Sequence, residues 1–355
     1  MIPTVATAWQ LSPEGSFIEK KLASRSQGFV DRMLSSFAVS GIGIIGNSVH
    51  EEVTNRALGC EGDADICGDP EYEPEHAYYL AGVRWNDDPP FRFSRGQGNF
   101  KGCVIGQTVR LITQPQCWGN TFKDGEARAA KGVALDGSNA TLLVRSHFGD
   151  MQFLHAMGAA DEESPVKTQA RILAWAEFVW RTGLGEYDQE MAVMDIDLPG
   201  FSDLFQFNRE WRIQDLFALG NPHVRSPDSM SKLAFGSLLH MVQDSFARGH
   251  VARRTPINGQ MCTLFPSMPQ PGKIVEFHSY SRQDPKKHGH SDSRNAFSAH
   301  WTADRPNVVD VGRTLYTFYE QKRSWTEVQP YVKCIFALDI QARAASAGED
   351  YAMGN

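Results

Sequence analysis

A chain of 355 residues, of which 41% are hydrophobic and 22% charged, has the composition of a globular protein with a substantial core. The formal net charge of −7 disfavours a nucleic-acid scaffold held by a basic surface, but it is compatible with a nuclease whose metal ions meet the phosphates. No run of about eighteen apolar residues occurs, so no membrane-spanning helix is predicted.

The sequence of the N-terminal region predicts one helix. It also contains a glycine-rich segment that we reject as a nucleotide-binding motif. Residues 17–37 carry apolar side chains at helical spacing, among them Phe29, Met33 and Phe37. GIGIIG at residues 41–46 matches GxGxxG, but a dinucleotide loop needs a preceding strand and a βαβ unit, and neither is indicated. No signal-peptide pattern is visible at the start of the chain.

Cysteine usage favours an exported protein. Two close pairs lie in loops rich in Gly, Asp and Pro, namely Cys60/Cys67 and Cys103/Cys117. An even number of cysteines in short loops predicts disulfides and a secreted or periplasmic protein, a secreted effector included. Cys262 and Cys334 are left open as free thiols.

Two segments in the first third place potential metal ligands near helix ends. Residues 47–58 predict a helix with His50 near its start, followed by Glu51. Residues 76–90 predict a helix that ends in Asp87 and Asp88 ahead of two prolines. Taken alone, each is better explained without a metal, His50 as a surface residue and the two aspartates as an ordinary helix end.

The middle of the chain combines an irregular insertion with a long core helix. Residues 91–139, rich in glycine, predict a loop insertion that contains at most a short hairpin. His147 and His155 follow it, eight positions apart. Residues 165–181 predict a buried helix around Trp175 and Trp180, and residues 190–225 predict shorter, broken helices.

The segment 231–253 carries the most specific signal. Its first sixteen residues predict one amphipathic helix, with Asp228 as its start and Arg248-Gly249 as its stop. His240 and Asp244 are four apart, so their side chains lie one turn apart on one face. His250 follows where the chain leaves the helix. Two imidazoles and a carboxylate that converge in this way suit a borderline divalent metal such as zinc.

The last third repeats this spacing. Residues 276–292 contain His278, His288, His290 and Asp292, and His288 and Asp292 are again four apart. Residues 308–320 predict a closing amphipathic helix, and the tail from residue 345 predicts a frayed end. Because helical periodicity recurs and strand alternation is scarce, we predict one all-α multi-helix domain over residues 1–355, with the insertion at 91–139 and an extension after residue 320.

The order and the local sequences of these segments resemble the superfamily of zinc-dependent phospholipases C and S1/P1 nucleases. The resemblance consists of short matching segments spread over residues 41–320. The LHxxxDxxxxxH signature is complete in Leu239, His240, Asp244 and His250. The other matching segments are Asn47–His50 with Val53–Ala57, Trp85–Asp87, Ser146–Phe148, the His288/Asp292 pair, and Gly312–Tyr319. The sequence segments SHFGDMQFLHAM and QDPKKHGHSD look most like those of bacterial metallophospholipases C of the Pseudomonas and Legionella type.

The resemblance implies a helical fold with three zinc ions in one cleft. It implies one ion on Asp87, His147, His240 and Asp244, a second on His250, His288 and Asp292, and a third on His50 that shares Asp244. Asp87 would also orient or deprotonate the attacking water. Arg248 and Arg253 would either meet the substrate phosphate or form a solvated helix end.

The chain departs from the family at the third zinc site. In secreted relatives the mature N-terminal tryptophan completes that site, whereas Trp9 here lies far upstream of His50. A different mature N-terminus, a substitute ligand such as Glu51, or a weaker site are the alternatives.

Two histidines leave the ligand set open. His278 competes with His288 for the second ion, and His288 is preferred for its spacing to Asp292. His155 is expected to lie behind the ligands or in the core rather than to bind a metal directly.

The resemblance implies a phospholipase C that releases diacylglycerol and a phosphorylated headgroup from a phospholipid. We expect transient contact with a membrane surface through Phe91, Phe93 and Phe100, and no stable nucleic-acid partner. A single-strand nuclease or 3′-nucleotidase on the same scaffold is the alternative, and it would need aromatic side chains that stack a base. A non-catalytic host-interaction protein with a degenerate metal site is a third hypothesis, which the complete ligand set disfavours.

Overall fold

The structure, a computed structural model, describes residues 11–12, 15–19, 47–94, 102–218, 226–257, 259–303 and 305–353. Of the helix predicted at 17–37, only residues 17–19 lie in these ranges, and they are helical; the GIGIIG segment lies outside them. The described chain is mainly helical and its short strands form two-stranded sheets, which agrees with the all-α prediction at this coarse level.

The helices of the described residues are short, apart from three that exceed fourteen residues. In chain order they are α1 (Val49–Ala57), α2 (Ala64–Cys67), α3 (Ala77–Val83), α4 (Pro115–Ala129), α5 (Leu142–Phe148), α6 (Pro165–Gly183), α7 (Phe201–Leu204), α8 (Ile213–Ala218), α9 (Pro227–Asp244), α10 (Pro285–Ser291), α11 (Arg294–Ala303), α12 (Val308–Glu320) and α13 (Trp325–Ile335). Single 3₁₀ turns lie at Pro74–His76, Gln152–His155 and Val193–Asp195.

The strands pair in three antiparallel ribbons. β1 (Phe91–Arg92) pairs with β2 (Thr108–Val109), β3 (Val251–Arg253) with β6 (Ile274–Phe277), and β4 (Met261–Cys262) with β5 (Phe265–Pro269). The β3–β6 ribbon opposes Val251 to Phe277, and it thereby brings the chain just after α9 next to the segment that leads into α10.

Helix α9 is the centre of the fold, and it begins at Pro227, one residue before the predicted start at Asp228. Ser226 caps it by accepting a hydrogen bond from the Ser229 N–H, and Pro227 occupies the first turn, where no backbone donor is needed. The helix ends at Asp244, and a tight turn leads from there to His250 and β3.

Close contact between α3 and α9 sets the position of the polar residues that follow α3. A Cβ atom on Gly236 would lie 2.4 Å from the carbonyl oxygen of Tyr79, and one on Gly82 would lie 2.2 Å from that of Leu233. Only glycine permits this approach, because any side chain would overlap the opposite backbone. Asp87, just beyond α3, is therefore held against the C-terminal half of α9.

Helix α6 closes the core on another side of α9. Trp175 stacks on Trp85 with ring centroids 5.5 Å apart and donates from its indole nitrogen to Ser237 Oγ at 3.1 Å. Helix α12 packs on α1, and α13 packs on α6. The helices predicted at 165–181 and 308–320 are both confirmed.

The insertion at 91–139 is more ordered than its glycine content suggests. Its β1–β2 hairpin was anticipated, but residues Pro115–Ala129 form the fifteen-residue helix α4, whose Trp118 and Phe122 are fully buried. Phe91 and Phe93 join them in a second small core and are only 2% and 6% exposed. Phe91 and Phe93 are therefore not the exposed apolar residues that the expected membrane contact requires, and Phe100 lies outside the described residues.

The predicted frayed end beyond residue 345 is also wrong. The Ser279 N–H donates to the Ser346 carbonyl at 2.8 Å, the Glu162 N–H to Ala345 at 2.8 Å, and the Asp284 N–H to Tyr351 at 2.6 Å. The C-terminal segment is fixed by backbone hydrogen bonds to distant parts of the chain, for which apolar periodicity gives no signal.

Three disulfides cross-link the described residues. Cys60–Cys67 and Cys103–Cys117 form as their spacing predicts. Cys262 and Cys334, left open as free thiols, form a third bridge between β4 and α13, because the fold brings together two residues 72 positions apart. Among the described residues, no helix combines the length and apolar character needed to cross a bilayer.

Candidate metal centre

His50 and Asp87 reach the same point from two different helices. His50 lies in the first turn of α1, and Asp87 lies just beyond the end of α3. Both residues have no exposed surface, and His50 Nε2 lies 3.8 Å from Asp87 Oδ2.

His240 and Asp244 lie one turn apart on α9, as their spacing predicts. His240 Nε2 is 3.0 Å from Asp244 Oδ2, and the other carboxylate oxygen of Asp244 is 3.4 Å from His50 Nε2. The rings of His50 and His240 stack with centroids 4.1 Å apart. Asp244 thus faces both imidazoles, as a bridging ligand would.

His147 and His155 both lie against Asp87. Helix α5 ends at Phe148, and the chain turns back through the 3₁₀ turn that carries His155. His147 Nε2 is 3.6 Å and His155 Nδ1 is 3.8 Å from Asp87 Oδ1. His155 Nδ1 also lies 2.8 Å from Asp244 Oδ2, so this residue is a potential ligand. The sequence alone had favoured His147 and had placed His155 behind the ligands.

A second group lies on the other side of Asp244. His288 and Asp292 come from α10 and its end, and His288 Nε2 is 3.0 Å from Asp292 Oδ2. His250, in the turn before β3, has its Nε2 atom 3.7 Å from Asp292 Oδ1 and its Nδ1 atom 3.8 Å from Asp244 Oδ2. The β3–β6 pairing explains why residues 250 and 288 meet.

Within the described residues, three sets of side chains have ligand atoms close enough to bind a metal ion, and two of these sets share His240. In each set the atoms lie within 4.8 Å of one another, and all members are buried. The sets are His50, His240 and Asp244; Asp87, His155 and His240; and His250, His288 and Asp292.

Hydrogen bonds on the outer ring nitrogens orient several of these imidazoles. His50 Nδ1 is 2.6 Å from Gln243 Oε1, His147 Nδ1 is 2.8 Å from the Leu143 carbonyl, and His250 Nδ1 is 2.8 Å from the His155 carbonyl. A partner on Nδ1 fixes the ring and directs the Nε2 lone pair inward, the usual support for a metal-binding histidine.

Several inward-facing atoms of the cluster lie close together and yet have no hydrogen-bond partner among the described residues. His288 Nε2 and Asp292 Oδ2 have no hydrogen-bond partner although they are 3.0 Å apart, and both Asp87 oxygens and His147 Nε2 also have none. Each such buried atom costs about 1–3 kcal/mol if it stays unsatisfied. A divalent cation would satisfy these imidazole nitrogens and carboxylate oxygens together, so the residues fit a metal.

Electrostatics within the cluster keep its carboxylates ionised. Burial alone would raise the pKa of Asp87, but His240, His147, His155 and His50 outweigh it and hold the pKa near 2. The surrounding imidazoles likewise hold the pKa of Asp244 well below its usual range, although burial opposes this.

The histidines of the cluster differ in charge. Burial, together with the neighbouring His240, lowers the pKa of His50 to about 4, and burial lowers that of His155 to about 4. For His250, the attraction of Asp244 and Asp292 outweighs burial and raises the pKa to about 9. Because only neutral imidazole binds metal, a cation at His250 has to displace a proton.

Glu51 does not join the cluster. Its side chain pairs with Arg84 and accepts a hydrogen bond from the Ser12 N–H at 3.0 Å. It faces away from the cluster because successive residues of a helix point about 100° apart. The substitution of Glu51 for a missing third-site ligand is therefore not seen.

Four other candidates also lie outside the ligand sets. His147 is one of them, although its Nε2 atom lies 3.6 Å from Asp87 Oδ1. His278 Nδ1 contacts the Gly249 carbonyl at 3.1 Å, and His288 takes the place next to Asp292. Arg253 donates to the carbonyl oxygens of Ser245, Gly272 and Ile335, so its guanidinium is used by the fold. Arg248 is exposed.

Comparisons with protein-family models, with curated proteins and with solved structures find no match to this chain.

Proposed function

We propose that the protein is a zinc-dependent phosphodiesterase of the phospholipase C type. It would hydrolyse the glycerol-side phosphodiester bond of a glycerophospholipid and release diacylglycerol and a phosphorylated headgroup. The observation that carries the proposal is the convergence of buried imidazoles and carboxylates from α1, the end of α3, α9 and α10 on one point.

The donor set is the reason to propose zinc. Nitrogen and carboxylate ligands in threes and fours are typical of zinc sites, whereas calcium and magnesium prefer oxygen ligands alone. Two of the three sets share His240, and Asp244 lies close to a histidine of each set. We therefore propose three ions, with the ligand assignment that the sequence resemblance implies and with His155 beside His147.

Zinc would supply a bound water of lowered pKa and positive charge for the phosphate oxygens. Asp87 would orient the attacking water and accept its proton, because both its oxygens are buried, ionised and without a hydrogen-bond partner. Gln243 and the carbonyls of Leu143 and His155 hold the imidazoles in the required orientation.

The choice of lipid over nucleic acid rests on the sequence. The sequence segments around His147 and His288 resemble those of bacterial metallophospholipases C, and the net charge of −7 disfavours a polynucleotide held by a basic surface. Three disulfides favour the secreted or periplasmic location in which such an enzyme meets a membrane surface.

Phosphorus NMR provides the test. Purified, zinc-loaded protein is mixed with phosphatidylethanolamine and with phosphatidylcholine micelles, with and without a chelator. A chelator-sensitive phosphoethanolamine or phosphocholine signal is expected. No phosphomonoester from either lipid would reject the lipase, and single-stranded DNA and RNA would be the next substrates.

A variant pair separates metal-dependent turnover from a contaminating activity. His288→Ala should abolish the signal, whereas His290→Ala, on the exposed side of the same helix, should retain it. Equal activity of both variants would reject the proposed site.

A further inference from the structure

Tyr280 is a phenol next to the second ligand group that none of the ligand sets includes. Its ring centroid lies 5.0 Å from that of His288 and 6.2 Å from that of His250. Phe148, next to His147, lies 6.4 Å away on another side. One half of the metal centre consists of His50, Asp87, His147, His155, His240 and Asp244, and the other half consists of His250, His288 and Asp292. Tyr280 therefore lies between these two halves.

The hydroxyl group of Tyr280 is directed into the protein. The residue as a whole is partly exposed, yet its hydroxyl oxygen is buried and has no hydrogen-bond partner among the described residues. The carboxylates of Asp244, Asp292 and Asp87 lie near the phenol, and a phenol of ordinary pKa, about 10, carries its proton at neutral pH. These carboxylates come from both halves of the cluster.

The backbone around Tyr280 is held firmly. The Tyr280 N–H donates to Gln152 Oε1 at 3.3 Å, and Gln152 in turn donates to the carbonyls of Gly149 and Ala159. The neighbouring Ser279 N–H donates to Ser346 at 2.8 Å. A donor fixed in this way needs no reorganisation when an acceptor arrives, which is the property that makes a hydrogen bond effective in an active site.

A buried hydroxyl without a partner is costly unless a ligand supplies an acceptor. The ligand that the cluster would take is a phosphoryl group, which brings several anionic oxygens and no donors of its own. Hydrogen bonds from a neutral donor to such an anion are stronger than those between neutral groups.

We propose that the Tyr280 hydroxyl donates a hydrogen bond to an oxygen of a phosphoryl group bound between the two halves of the metal centre. This inference rests on the proposed function and adds a residue that contacts the substrate without binding metal. Tyr280 would fix the orientation of the phosphate relative to Asp87.

The test uses full-length, zinc-loaded protein dialysed free of unbound zinc, with inorganic phosphate as the probe in isothermal titration calorimetry. Tyr280→Phe should weaken phosphate binding about ten- to hundredfold, because one hydrogen bond to an anion is lost. Its zinc content should stay unchanged. Its melting temperature should not fall, because the variant removes a buried hydroxyl that the fold does not use.

Tyr331→Phe is the matched control. Tyr331 is a buried tyrosine of α13 whose hydroxyl faces Thr314, and its loss should leave phosphate affinity unchanged. In a second arm, turnover of a short-chain phosphatidylcholine should fall in Tyr280→Phe by a factor similar to the loss of phosphate affinity or larger.

The outcomes separate this inference from the proposed function. Unchanged phosphate affinity in Tyr280→Phe overturns the role of Tyr280, and so does a loss of zinc or of melting temperature that accounts for the weaker binding. Failure of the wild-type protein to bind phosphate overturns it as well. If the wild-type protein binds phosphate but cleaves no lipid, the proposed function fails, while the calorimetric comparison still decides the role of Tyr280.

Discussion

Removal of metal should lower the thermal stability of the protein by a predictable amount. A ligand that binds only the folded state at 1,000 times its Kd stabilises it by about 4 kcal/mol per site. The unfolding entropy of about 2.1 cal/mol/K per residue gives about 0.75 kcal/mol per kelvin for 355 residues. Each zinc ion should therefore raise the melting temperature by about 5 °C, and three ions by about 15 °C.

The structure gives a reason to expect a loss at least this large. Without metal, the buried carboxylates of Asp87, Asp244 and Asp292 are balanced only by nearby imidazoles, two of which, His50 and His155, have pKa values near 4 and are neutral at pH 7. The metal ions would supply the missing positive charge.

Differential scanning fluorimetry with elemental analysis measures this. Zinc-loaded protein, chelated protein and chelated protein with zinc restored are compared at pH 7.5, without reductant so that the disulfides persist. The expected result is a fall of about 15 °C that zinc reverses, with close to three zinc ions per chain. A melting temperature that is independent of the chelator, with no bound metal found, would refute the reasoning.

The remaining predictions concern single features of the fold. His288→Ala should lower the zinc content by about one ion per chain while His290→Ala changes nothing, as measured by elemental analysis; equal zinc content in both would remove α10 from the site. Replacing Cys262 and Cys334 by Ser should lower the free energy of unfolding by about 4 kcal/mol, against about 2 kcal/mol for the disulfide that closes a seven-residue loop, because loop entropy grows with length. Urea denaturation decides this, and equal losses would contradict it. Arg84→Met should cost about 3–5 kcal/mol in the same assay, because it leaves the buried carboxylate of Glu51 without its cation and removes one of the two cations beside Glu19. A cost under about 1 kcal/mol would argue that the ion pair is unimportant.

Local spacing predicted those parts of the site that lie on a single helix. His240 and Asp244, and likewise His288 and Asp292, are four residues apart, and this spacing alone places each pair on one helical face. The side chains of each pair indeed lie 3.0 Å apart.

What the spacing could not show is how the separate pieces meet. The approach of α3 to α9 depends on Gly82 and Gly236, two glycines far apart in sequence that carry no local sign of a contact. His155 was underestimated for a similar reason. The chain turns back after α5, and the return brings the second histidine as near to Asp87 as the first.

The errors in the insertion and the tail have one cause. Both segments are fixed by tertiary contacts, α4 by the hairpin of the same insertion and the tail by segments distant in sequence. Trp118 and Phe122 of α4 bury Phe91 and Phe93, and backbone hydrogen bonds to residues near 162 and 280 fix the tail. Composition reports how much of a segment can be buried but not what covers it.

Residues that are adjacent in sequence have different roles around this centre. Asp87 faces the imidazoles, whereas Asp88 accepts hydrogen bonds from Arg110, Trp118 and the backbone of the insertion. His50 faces the same imidazole cluster, whereas Glu51 turns to Arg84. His50 and Asp87 are thus each followed by a carboxylate that forms a buried ion pair with an arginine.

The buried ion pairs around the cluster explain how the segments that carry it are held together. Like charges packed together repel one another, and a cluster of buried ionisable groups needs a scaffold that prevents the helices from moving apart. Arg84 contacts both Glu19 and Glu51, and Arg110 contacts both Glu19 and Asp88, so the N-terminal segment, α1, the end of α3 and the insertion are linked through buried charges of opposite sign. The insertion is therefore part of the framework that holds Asp87 in position, and a chain without it would lack the partner of Asp88 that stabilises the neighbouring ligand.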